Sequence, residues 1–160
     1  MILIADSSAL ICLATCDSLD LLDLLFKEVK VPRAVFLEVS KEFKKESDKL
    51  RQYLENKIIE IQENKDLIIK EGTIELGELE AMILYKQLKA NWLLVDDRRA
   101  RRIAQVNEIN IIGSLGVLLL SKKFGYIDSI ISKLELLKKS DIFLSEEIIQ
   151  NTIILAGESL

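Results

Sequence analysis

Two short, wholly apolar runs, Ile2–Ala5 and Trp92–Val95, each end directly on acid: Asp6 after the first, Asp96 and Asp97 after the second. An unbroken apolar run of this length reads as a strand covered on both faces, and such strands belong to parallel sheets flanked by helices. Asn110–Ile112 reads as a third buried strand. Val29 and Val31, closed by Pro32, form another short one, and Ile58, Ile59 and Ile61 an edge strand.

Helices fill the intervals. Ser7 and Ser8 cap the first, which buries Leu10, Ile11, Leu13 and Ala14, and Leu19–Phe26 is a second short helix. Pro32 opens a third, suited to a first turn, running to about Lys45. Ser47–Asn56 reads as an exposed helix and Asn64–Glu71 as another, ending near Gly72. Glu78–Lys89 is amphipathic through Leu79, Met82, Ile83 and Leu88. Arg98–Val106, Leu115–Phe124, Ile127–Lys139 and Ser145–Leu155 complete the set. Strands alternating with helices predict an α/β sandwich with a mostly parallel sheet. At 160 residues, with 49% apolar and 30% charged residues, the chain has the size and balance of one globular domain. Residues 1–160 are read as that domain, with the helices from about 127 packed on it.

In open parallel sheets the functional crevice lies beyond the carboxyl ends of the strands. Asp6 and the Asp96–Asp97 pair stand at that edge. Carboxylates gathered in one crevice repel unless protons or a cation neutralise them. The chain has no histidine, which excludes Ser-His-Asp and Cys-His nucleophilic sites and histidine-ligated zinc. Its two cysteines, Cys12 and Cys16, read as reduced, buried thiols of a cytoplasmic protein. The remaining donors are all oxygen, a set that selects magnesium, manganese or calcium. Magnesium or manganese held this way activates water and stabilises charge on a phosphodiester. Glu38 and either Glu78 or Glu80 are the candidates to complete the set. Each acid has a plainer reading: Asp6 as a helix cap, Asp96 and Asp97 as partners of a helix dipole, Glu38 as an exposed helix charge, Glu78 and Glu80 as first-turn acids.

The net charge is −4, which speaks against a general nucleic-acid coat protein. Locally, Asp96–Gly125 holds Arg98, Arg99, Arg101, Arg102, Lys122 and Lys123 against Asp96, Asp97 and Glu108, a basic stretch suited to a phosphate-facing rim. Gly113–Gly116 reads as a strand-to-helix turn whose free amides and Ser114 would touch a phosphate. Neither a G-x-x-x-x-G-K-[ST] loop nor a G-x-G-x-x-G fingerprint is present, so nucleotide cofactors have no support. The apolar N-terminus lacks a basic start and is broken by Asp6, unlike a signal peptide. The longest later charge-free stretch, Ile109–Ser121, is too short to span a membrane.

Three ordered blocks carry a resemblance: Asp6-Ser7-Ser8-Ala9-Leu10, then Gly77-Glu78-Leu79-Glu80-Ala81, then Val95-Asp96-Asp97-Arg98-Arg99-Ala100-Arg101 running on to Ile112-Gly113-Ser114-Leu115-Gly116. Together they resemble PIN-domain nucleases, in a prokaryotic branch related to VapC-type toxins, from about Ile2 to Phe124. The resemblance implies a three-layer α/β/α fold and a magnesium- or manganese-dependent endoribonuclease. Position by position it implies catalytic roles for Asp6, Glu38, Glu80 and Asp97, with Asp6, Glu80 and Asp97 on the metal. It leaves Glu78 a neighbour of uncertain role, Asp96 a competitor of Asp97, and Ser8 a supporting group. Arg98, Arg99, Arg101, Arg102 and Ser114 would contact RNA phosphates. The sequence departs from many relatives in carrying Val95 two places before the strand-end acid and glutamate on the central helix. The resemblance also implies a homodimer and a small antitoxin partner. The alternative is a catalytically weak PIN-like module that binds RNA or protein.

Overall fold

The computed structural model describes residues 1–42, 44–63, 67–70 and 72–159. At its centre is β1 (Ile2–Ala5). From there the chain moves outward through α1 (Ser7–Thr15) and α2 (Asp20–Leu25) to β2 (Glu28–Pro32), then through α3 (Arg33–Val39) and α4 (Ser47–Leu54) to β3 (Ile58–Ile59). It returns along α5 (Leu76–Leu88) to the other side of β1, forms β4 (Trp92–Leu94), and steps outward through α6 (Arg98–Val106) to β5 (Ile111–Ile112). α7 (Ser114–Lys123), α8 (Ile131–Lys138) and α9 (Glu146–Leu155) follow. Every strand pairing is parallel, and the sheet order is β3-β2-β1-β4-β5.

Side chains alternate across the sheet as strand geometry requires. Leu3, Ala5, Val29, Val31 and Leu94 face one core, built with Leu10 of α1, Leu22 of α2, Leu50 of α4, Val117 of α7, Leu134 of α8 and Ile153 of α9. Ile4, Leu93 and Val95 face a second core, formed with Met82 and Ile83 of α5 and Ile103 of α6. These two cores, one on each face, make the three-layer α/β/α sandwich. The central strands are sealed on both sides, which is why they are apolar throughout. Among the described residues, no helix is long and apolar enough to cross a membrane.

Several elements differ from the sequence reading. Ser7 and Ser8 lie inside α1, and Asp6 occupies the capping position. The helix after Pro32 stops at Val39, where the Ser40 hydroxyl donates back to the Phe36 carbonyl and the Arg51 guanidinium donates to the Ser40 carbonyl at 2.7 Å. α4 is not a free surface helix: Leu50 and Leu54 are fully buried. β5 is an edge strand with half-buried residues rather than a covered one. Of the helix expected over Asn64–Glu71, residues 64–66 and 71 lie outside the described residues, and 67–70 form no α-helix. Cys12 and Cys16 are buried and free, as expected. Burial pushes the Cys12 thiol up to about 12, against its hydrogen bond with Ser114, so it stays protonated and inert.

The helix expected from Ile127 begins only at Ile131, because the residues before it bind the chain's last turn. Glu158 accepts from the Ile130 amide at 2.8 Å and the Ser129 hydroxyl at 2.7 Å, and pairs with Lys122. Burial alone would raise the Glu158 carboxyl, but Lys122, the Ile130 amide and Ser129 outweigh it and hold it at about 2. A carboxylate depressed by folding stabilises above its unfolded value of 4.5 and loses that contribution as pH falls towards 2. Glu158→Gln is therefore expected to cost roughly 2 kcal/mol at neutral pH, the scale of hydrogen bonds to a charged group. The deficit should shrink in acid, which urea denaturation at pH 7 and pH 3 would measure.

Candidate active site

The connection after β1 leaves to one side of the sheet and the connection after β4 to the other. Such a switch point opens a crevice at the strands' carboxyl ends. Asp6 sits there directly after β1, held by its backbone N–H donating to the Leu94 carbonyl at 2.9 Å. Asp97 follows β4 and caps α6, accepting from the Ala100 amide at 2.9 Å. α5 enters from the opposite face of the sheet with its first turn at the same edge. There Glu78 accepts from the Glu75 amide at 3.2 Å. From α3, Glu38 accepts the Ser7 hydroxyl at 2.7 Å.

These groups line one cleft of about 130 Å³, formed by Asp6, Ser7, Ser8, Glu38, Glu75, Glu78 and Asp97. The N-termini of α1, α5 and α6 all open at it, and their partial positive charge offsets part of the repulsion among the acids. Gly77 makes the close approach of α5 possible. A Cβ at that position would stand 3.1 Å from Glu38 Oε2 and 3.4 Å from Val35.

Asp6 is the most constrained of the acids, with 4% of its surface exposed. Burial pushes its carboxyl up to about 7; the Ser7 backbone amide works against this, and the charges of Glu78, Glu38 and Asp97 add to it. Glu78 is also raised, by burial first and then by Asp97 and Glu75, while its capping bond to Glu75 and nearby Arg99 pull it down.

Asp6, Glu38 and Asp97 thus come together as expected from the sequence, but Glu80 does not join them. It turns towards the Ala34 amide and the Glu60 carboxylate, and Glu78 takes the place at the cleft. Residues two apart on a helix project about 200° apart, so only one of the two can face the site. Asp96 is also elsewhere. It accepts the Ser114 amide at 2.7 Å and the Ser114 hydroxyl at 2.6 Å, fastening the start of α7. Ser114 is consequently only 2% exposed and has neither group free for a phosphate, contrary to the sequence reading. A carboxylate of the protein fills the anion position at that helix end.

Ser8 is exposed at the rim, and the inward hydroxyl is that of Ser7. The sequence reading missed Ser7 as the partner of Glu38, and Glu75 as a wall of the cleft. Position in an Asp-Ser-Ser run does not say which serine faces inward. The Glu75–Glu78 spacing is a capping-box pattern that marks Glu75 as the residue opening α5. Arg98, Arg99 and Arg102 are exposed and Arg101 half-buried. Among the described residues none of these four forms an ion pair.

Among the described residues, no three acidic or sulfur side chains converge closely enough to hold an ion as they stand. The donor set nonetheless fits a hard divalent cation: all oxygen, from separate segments, around a buried carboxylate whose charge its neighbours oppose.

No curated protein and no solved structure was found to match the chain. A family model described as a PIN domain matches residues 2–158. The match starts in β1 and ends at the Glu158 clasp, taking in every segment that builds the cleft. By that match the chain belongs to the PIN-domain family, whose members are in general nucleases.

Proposed function

We propose that this PIN domain is a magnesium- or manganese-dependent endoribonuclease, acting in the cytoplasm as the toxin of a toxin–antitoxin pair related to VapC-type toxins. The observation that carries the reading is the meeting of Asp6, Glu38, Glu78 and Asp97, from four separate segments, in one cleft at the carboxyl edge of the sheet. Such an arrangement costs stability in itself, and neutralisation by a cation removes that cost.

Asp6, Glu78 and Asp97 are the residues that would hold the ion. The chemistry a magnesium or manganese ion supplies when bound is acidification of water and neutralisation of charge on the phosphodiester. Glu38, oriented by Ser7, takes the proton from the attacking water. The water oxygen bonds to phosphorus, the bond to the leaving ribose oxygen breaks, and that oxygen takes a proton from solvent to leave as a hydroxyl. Arg98, Arg99 and Arg102 hold flanking phosphates from the rim, an attraction that weakens with salt. An antitoxin would inhibit by covering the acids, and a homodimer is the proposed assembly.

The test is cleavage of a mixed pool of transfer and ribosomal RNA. Cleavage is expected with manganese, and its loss with chelator. Cleavage that ignores chelator would overturn the metal role. No cleavage under either condition would move the reading to a module that binds RNA or protein without cutting.

A further inference from the structure

A second, larger concavity of about 740 Å³ adjoins the acidic cleft. Its floor is apolar, with Ile11, Ile112 and Leu115, and Phe143 forms part of its wall. Phe143 is 86% exposed, and the only ring pair among the described residues is Phe124 with Tyr126. An aromatic side chain left this open gains nothing for the fold, so its ring face is available to a ligand.

We infer that this groove seats an unpaired nucleobase beside the scissile phosphate, with the Phe143 ring as its stacking surface and Arg101 holding the adjoining phosphate. The inference rests on the nuclease reading and names a substrate-positioning site within it. Three observations choose a single-stranded nucleic acid as the occupant.

The first is continuity. Ser8 lines both the cleft and the groove, while the consecutive Asp96 and Asp97 turn one to each. A strand with its phosphate in the cleft must place its next nucleotide nearby. The second is charge. Arg101 lines the groove, its Nη1 packed so near Gly113 that a Cβ there would stand 3.2 Å away. Asp96 also lines the groove, and its two oxygens accept from the Ser114 amide and hydroxyl at the start of α7. The third is that an exposed ring and a guanidinium line the same groove, the two kinds of group that hold single-stranded nucleic acid by base faces and by phosphates. The volume lies within the ~300–1,000 Å³ range of small-ligand sites, enough for a base and its sugar.

The experiment is fluorescence anisotropy of a labelled single-stranded RNA of about 12 nucleotides, titrated with the full chain in calcium. Phe143→Ala should weaken binding by roughly 5- to 100-fold, the range for losing one base–aromatic stack, and Phe143→Trp should restore it. Arg101→Ala should weaken binding and reduce the salt slope by about one. Duplex RNA of equal length should be indifferent to Phe143→Ala, because its bases are already paired. Wild-type affinity in Phe143→Ala would overturn the proposal. If that variant also sedimented as a smaller species than wild type, the groove would be assigned to contact with a second protein chain. The pool-cleavage assay separates the two readings. Metal-dependent cleavage with normal Phe143→Ala binding sinks the base site alone. Weakened Phe143→Ala binding without wild-type cleavage keeps the base site and sinks the nuclease.

Discussion

Asp6→Asn is expected to abolish RNA cleavage and, in the same protein, to raise the melting temperature of the metal-free form. Loss of activity follows from removing the acid at the centre of the cleft. It should exceed the roughly 10- to 100-fold cost of losing even an outer partner of a metal site. The stability gain follows from linkage. Asp6 moves from 3.8 to about 7 on folding, so between these values the native state binds the extra proton. Native stability then falls as pH rises through that window and stays reduced above it. Asparagine carries no such charge. The variant should be more stable than wild type at pH 8 by roughly 2 kcal/mol, or about 4–8 °C in a domain of this size. The difference should close near pH 4. Saturating magnesium should reverse the order, because only the wild type gains from binding it. Thermal unfolding at two pH values, with and without magnesium, reads all of this; a variant less stable than wild type at pH 8 would show that Asp6 is a structural cap instead.

The second large effect separates two glutamates one residue apart. Glu78→Gln should lose cleavage by at least about tenfold, within the range for acid–base or ligand groups. Glu80→Gln should stay within about threefold of wild type, because its carboxylate faces Ala34 and Glu60 rather than the cleft. Circular dichroism of both variants checks that the fold is intact. If Glu80→Gln were the inactive one, the role of Glu78 would fall and the sequence match at Glu80 would stand.

The contrast between these residues shows what a sequence can reveal here. Asp6 and the Asp96–Asp97 pair are legible because strands fix them, though the strand does not say which of the pair faces the cleft. A run sealed on both faces must lie inside a sheet, and the residue after it must emerge at the carboxyl edge. The choice between Glu78 and Glu80 depends on rotation about α5. That helix buries Leu79, Ala81, Met82, Ile83, Leu84 and Tyr85, nearly all the way round, so its apolar pattern marks no face. Ser114 failed for a different reason. A free helix N-terminus looks like a phosphate site until its tertiary partner is known, and Asp96 lies 18 residues earlier. The strands and most helices followed from local patterns. The end of α3 and the start of α8 did not, because Arg51 and Glu158 set them from a distance.

The two outer strands, β3 and β5, are each only two residues long. A sheet border of that length offers almost no hydrogen-bond ladder for another polypeptide to extend. The parallel core is thereby shielded from the strand-by-strand growth that leads to fibrils. Any second chain that docks here, whether a copy or an inhibitor, must hold on through helix surfaces and side chains. Association then depends on individual residues that mutation can alter one at a time, leaving the sheet that carries Asp6 and Asp97 untouched.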